Sequence, residues 1–287
     1  MQTGNKFELL ARAGYGARGV VYFLVGGLAL VSTFGGHSQD PSSKGALAML
    51  LDQPFGKILL GLVGLGLLGH AAWRFAQGIG NADHVERDAK GWATRAGHLT
   101  SGVTHLALAG FALQSAWRGS GQGSGSQGEE SLAAWLMQQP FGPYLVGLCG
   151  IIVMVAGGVQ AWRGISKAFK KRVHIPADKE RLLTPVCRYG LIARGVVFAI
   201  IGGFLIYAAL TVSPENAGSI PEALAWVRGL PFGAFLYFVA ALGLFAFGGY
   251  SVVEALYRRI DAPSAGAMAR EARDAMPKVL PFSRKAK

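Results

Sequence analysis

The sequence predicts an all-α integral membrane protein: six transmembrane helices forming three parallel two-helix repeats with pseudo-threefold symmetry, and short amphipathic helices on the outer side. Three observations predict it. Apolar residues come in blocks of about twenty with little charge inside, long enough to cross a hydrocarbon layer about 30 Å thick. One segment that opens on an arginine is written three times, and the basic residues gather on one set of connections. A chain that is 51% hydrophobic and 15% charged also departs from a soluble domain, where charge is nearer a quarter.

The six runs cover residues 15–34, 55–76, 97–117, 142–164, 190–212 and 232–257. They lack the strict alternation of barrel strands, and backbone in lipid must bond within its own segment, so they read as helices. The first run opens with "ARAGYGARGVVYFLVGG"; related segments follow at "TRAGHLTSGVTHLALAG" and "CRYGLIARGVVFAIIGG". This places Arg12, Arg95 and Arg188 in register, and each copy re-enters through Pro-Phe-Gly at 54–56, 140–142 and 231–233. The unit is therefore a helix pair, giving repeat one at 8–80, repeat two at 91–168, repeat three at 184–260 and a basic tail at 261–287. Two crossings return the chain to its starting side, so all three copies point the same way.

Between the helices of each pair lies a stretch too short to span: "GALAMLLDQ", "SLAAWLMQQ" and "PEALAWVRGL". These predict three small surface helices with Trp135 and Trp226 as interfacial anchors. Ser219 and Glu222 read as a capping box, each re-entry proline suits the first turn of the next helix, and "GSGQGSGSQG" at 119–128 reads as a linker.

Of 28 Lys and Arg residues, 24 lie at the two ends and on the connections after even-numbered helices; Lys44, Lys57, Arg118 and Arg228 lie on the other side. The positive-inside rule then puts both termini in the cytoplasm, in a bacterial plasma membrane. A net charge of +12 flanking membrane helices points to an anionic leaflet and not to nucleic acid. A membrane protein partner or a homo-oligomer is the other class of contact expected. Cys149 and Cys187 write no disulfide framework.

Small residues at seven-residue spacing, Gly19 and Gly26, Gly102 and Ala109, Gly195 and Gly202, lay a stripe down each odd helix and are read as helix-packing positions. Arg12, Arg18, Arg95, Arg188 and Arg194 sit in the first turns of odd helices; they either snorkel to headgroups or form an anion or headgroup site, with Ser101 breaking the set. His70 and His105 fall at similar depth, about 10–12 Å in at 1.5 Å per residue, and with His98 make the candidate intramembrane polar site. Two histidines at one depth also allow axial haem ligation. Glu254 pairs with Arg258 one turn on. No catalytic set and no metal-ligand spacing is written, and the two G-x-G-x-x-G matches follow no strand.

The segments "GYGARGVVYFLVGG" and "ARGVVFAIIGG", the "PFG" re-entry and the ending "EALYRRI" resemble a family of bacterial membrane proteins known as domain of unknown function 1206. The resemblance runs from about Arg12 to Ile260 and implies three related helix pairs in a bacterial plasma membrane, with no activity attached. The leading reading is a non-enzymatic membrane protein engaging anionic lipid or a partner through cytoplasmic arginines. The alternative is a channel or transporter for a small solute or ion along the pseudo-threefold axis; the third is a bis-histidine haem protein.

Overall fold

The computed structural model describes residues 2–33, 42–51, 53–86, 88–119, 133–213, 217 and 220–260, with backbone alone for residues 2–7. Among these residues the named α-helices follow in order: α1 Gln2–Thr33, α2 Ser43–Leu51, α3 Gly56–Ile79, α4 Ala89–Arg118, α5 Gly142–Ile165, α6 Ala177–Thr211, α7 Ile220–Arg228 and α8 Gly233–Tyr257. A helical stretch at 133–137 stands in the place of α2 and α7 in the middle copy. Both cysteines are free. The linker at 119–128 beyond Gly119, Ser219 of the capping box and the tail at 261–287 lie outside the described residues.

Among the described residues five helices are long and apolar enough to cross a membrane: α1 from Glu8 onward, α3, α5, α6 and α8. The 30 residues of α4 are long enough, but it carries Arg95, His98, Thr100, Ser101, Thr104 and His105, which lowers its apolarity. α1, α4 and α6 start well before their apolar runs, and α6 continues through Pro185. Asp88 caps α4 by accepting from the Gly91 N–H at 2.7 Å, and Asp178 and Glu180 suit the first turn of α6.

Each re-entry is built alike. Phe55, Phe141 and Phe232 adopt left-handed backbone, with φ of 61°, 62° and 59°, and cap α3, α5 and α8. The prolines therefore sit one residue before the cap and not in the first turn. The next residue must be glycine: a Cβ on Gly56, Gly142 or Gly233 would overlap carbonyl oxygens of Leu51, Met137 or Arg228. The small helices bury Ala46 and Leu47, or Ala223 and Leu224, against the bundle, while Trp135 and Trp226 stay about half exposed.

Neighbouring helices run in the order α4, α3, α1, α8, α6, α5. The seams between repeats are α3/α4, α1/α8 and α5/α6. Gly19 and Gly26 face α8, Gly102 faces Phe75 of α3, and Gly195 and Gly202 face Gly157 and Gly150 of α5. A Cβ on Gly195 would stand 2.6 Å from the Gly157 oxygen, so backbone approaches backbone directly.

Two repeats also close on themselves. Gly66 of α3 abuts Ala17 of α1, and Gly243 of α8 abuts Ala193 of α6. In the middle repeat the same two positions hold Ile152 and Thr100. Both are exposed, and among the described residues α4 and α5 form no packed seam. Close approach of two helix backbones needs small residues, and this pair lacks the glycine its counterparts have.

Candidate functional site

The three arginines that open the repeats do the same work in each copy. Arg12 donates from Nη1 to the Ala255 and Leu256 oxygens at 2.8 and 3.0 Å, at the end of α8. Arg95 donates to the Gly78 and Ile79 oxygens at 2.7 and 2.8 Å, at the end of α3. Arg188 donates to the Gly164 oxygen at 3.2 Å, at the end of α5. The last carbonyls of a helix have no partner of their own and carry the negative end of its dipole, so a guanidinium there satisfies both.

One turn or two inward, a second set of arginines occupies the same seams. Arg18 donates to Ser251 at 3.1 Å and pairs with Glu254; Arg194 donates to Gln160 at 2.6 Å and Tyr22 at 2.8 Å. Both stack on Phe247. The register position equivalent to Ser251 and Gln160 is Arg74, and the position equivalent to Arg18 and Arg194 is Ser101. The α3/α4 seam thus keeps its guanidinium but takes it from the other helix. Arg18, Arg74 and Arg194 all stand within electrostatic reach of His105.

The histidines gather around Arg74. His70 is fully buried, its ring 4.5 Å from His105 and 5.0 Å from Tyr15. Arg74 donates to His70 Nε2 at 3.2 Å and contacts His98 Nδ1 at 3.1 Å; since a guanidinium only donates, those nitrogens are the acceptors. His105 Nδ1 donates to the Ser101 oxygen at 2.8 Å. His70 Nδ1 and His98 Nε2 are buried without a hydrogen-bond partner among the described residues. The three predicted histidines therefore meet in one cluster, whereas the five predicted arginines spread over three seams.

An iron held between two imidazoles lies about 2 Å from each nitrogen, at the centre of a flat ring. The contacting rings of His70 and His105 leave no such gap, so this geometry lends haem no support. Among the described residues no three of His, Cys, Asp and Glu stand together as metal ligands.

Below this cluster, acidic groups tie the connections together. Asp83 accepts from Gln77 at 2.8 Å, Arg172 at 2.7 Å and Arg258 at 3.3 Å. Arg258 also binds Glu254 at 2.6 Å, as its i+4 spacing predicts. Backbone bonds from His174 to Tyr257 and from Arg259 to Arg172 join the 166–176 connection to the end of α8. Burial pushes the Asp83 carboxyl up, but Arg258 and Arg172 more than offset this and hold it below the usual aspartate value. Arg258 is raised: burial lowers it, and Tyr15, Glu254 and Asp83 together outweigh that. Sequence reading did not place Arg74, Gln77, Asp83 or Arg172 among the site residues, since none repeats as the same residue across the copies; the signals were polarity next to an apolar run and, for Arg74, its place one turn from His70.

One protein family, Domain of Unknown Function (DUF1206), matches residues 13–80, 96–167 and 189–258, each match spanning one helix pair. A Bacillus subtilis (strain 168) protein described as "Uncharacterized protein YxxB" is 32% identical over 263 residues, covering 90% of this chain and 94% of its own length. No solved structure matches. With all three helix pairs matched and a full-length relative, the chain belongs to the DUF1206 family, as a multi-pass membrane protein built from internal repeats.

Proposed function

We propose that this is a non-enzymatic protein of the bacterial plasma membrane with six crossings in three parallel pairs, whose arginine-rich end faces the cytoplasm and engages anionic lipid. The observation that carries the reading is charge. Arg163, Lys167, Lys171, Lys179, Arg181 and Arg259 stand exposed at the end of the bundle where Arg12, Arg95 and Arg188 cap the helices. Clustered cations beside an anionic leaflet each add about 1 kcal/mol of attraction.

For α4 as the sixth crossing, 30 residues rise about 45 Å against a layer of about 30 Å, and its His98 turns toward Arg74. The triple carbonyl cap by Arg12, Arg95 and Arg188 supports the pseudo-threefold relation. A solute path along the axis finds less support, because Val25, Ala29, Leu60, Leu67 and Leu244 are fully buried in one apolar core. The test is native mass spectrometry of protein moved from mixed phosphatidylglycerol and phosphatidylcholine nanodiscs. Retention of phosphatidylglycerol over phosphatidylcholine, weakening with salt, is expected; equal retention of both overturns the reading.

A further inference from the structure

Each even-numbered crossing turns one stripe toward the centre at i, i+4 and i+7. In α3 the stripe is His70, Arg74 and Gln77; in α8 it is Phe247, Ser251 and Glu254. Both are covered: His70, Gln77, Phe247, Ser251 and Glu254 are all buried. The same register in α5 is Ala156, Gln160 and Arg163, and here Ala156 and Arg163 are exposed. A methyl group stands where the other copies place an aromatic ring, and the seam beside it is the unclosed one between α4 and α5.

Arg163 differs from the other arginines of the cluster. It lies two residues before the end of α5, at interface level, and among the described residues it has no hydrogen-bonded partner. Its electrostatic neighbours are Arg172, Arg258, Glu254 and Tyr250, so the local cationic excess is unsatisfied. From Arg163 the exposed Val159, Val155 and Ile152 lead away from that end, and Ile152 lies roughly 16 Å up the helix at 1.5 Å per residue. That is half of a hydrocarbon layer about 30 Å thick. Trp162, 65% exposed, marks the interface beside Arg163.

One cation at headgroup level followed by half a bilayer of uncovered apolar helix face matches the length and polarity of a single phospholipid. We propose that the open α4/α5 seam is a built site for one anionic phospholipid of the cytoplasmic leaflet, its phosphate bound by Arg163 and an acyl chain lying along Val159, Val155 and Ile152. This rests on the anionic-lipid reading above and names where that lipid sits. A phosphate satisfies the guanidinium with two parallel hydrogen bonds. A second protein copy pressed into the seam would instead bury the cation unpaired, which is costly.

The experiment uses the full chain in the same nanodiscs, comparing wild type with Arg163→Gln and Arg163→Lys. Wild type is expected to retain one phosphatidylglycerol after the others have exchanged. Arg163→Gln should weaken that retention roughly tenfold, the scale of a lost hydrogen bond to a charged group, and Arg163→Lys should fall between. Unchanged retention in Arg163→Gln, with wild-type preference for phosphatidylglycerol intact, overturns the site and leaves the broader reading standing; no preference in wild type overturns both. A benzophenone-bearing residue in place of Ile152 gives an independent readout. A lipid adduct on illumination supports the site, and a cross-link to α4 or to a second copy overturns it.

Discussion

Glu254 is the residue on which most of the buried network turns, since it accepts from both Arg18 and Arg258 across two elements. Removing one member of a buried ion pair leaves an uncompensated charge, at about 3–5 kcal/mol. Glu254→Gln should therefore lower the melting temperature in detergent sharply, and adding Arg18→Met should recover part of the loss. Arg95 offers a second check. Its guanidinium reaches two carbonyls of α3 while stacking on Trp92 at 4.7 Å, a geometry an ammonium cannot reproduce. Arg95→Lys should cost about 1–2 kcal/mol in thermal unfolding, and Arg95→Gln more. Arg12, Arg95 and Arg188 were legible in the sequence as one repeated position. Their use was not, because the carbonyls they satisfy belong to a different helix.

At the scale of the element, the Pro-Phe-Gly turn is the feature most dependent on one atom. Gly233→Ala drives a methyl group into the Arg228 carbonyl, and overpacking of this kind costs about 1–3 kcal/mol. Gly61→Ala is the control, since nothing lies within 4 Å of the added Cβ. The first variant should unfold at a clearly lower temperature and the second should match wild type. The seams follow the same logic of small residues. Ile152→Gly with Thr100→Ala gives the middle repeat the small pair its neighbours have at Gly66 and Ala17, and at Gly243 and Ala193. Spin labels on α4 and α5 should then report a shorter distance than in the parent chain; an unchanged distance would show that something besides side-chain bulk holds the seam open.

The whole molecule is held together at its charged end, where Asp83 connects the loop after α3 to Arg172 and Arg258 from two other connections. Its carboxyl is held below the ordinary value, so the stabilisation is complete above about pH 4, the unfolded value, and is lost as pH falls through the lower folded value. Thermal unfolding followed from pH 6 down to pH 3 should show this loss in wild type, and Asp83→Asn should be less stable at pH 6 and flatter across that range. Topology is the second test at this scale. Labelling of cysteines placed at Lys171 and Ser124 should report opposite sides of the bilayer, and labelling from one side would break the parallel arrangement of the three pairs.

What the sequence determined by itself is local: the lengths of the apolar runs, the threefold repetition, and the side on which the charges fall. Those properties belong to single segments, and hydrocarbon thickness and leaflet charge act on segments one at a time. Only the tertiary structure decided which helices touch, that Arg74 stands in for the guanidinium Ser101 lacks, and that the face around Ile152 stays uncovered. Each of these depends on a partner dozens of residues away, and close approach of two backbones is a property of the pair of surfaces that no single run of residues carries.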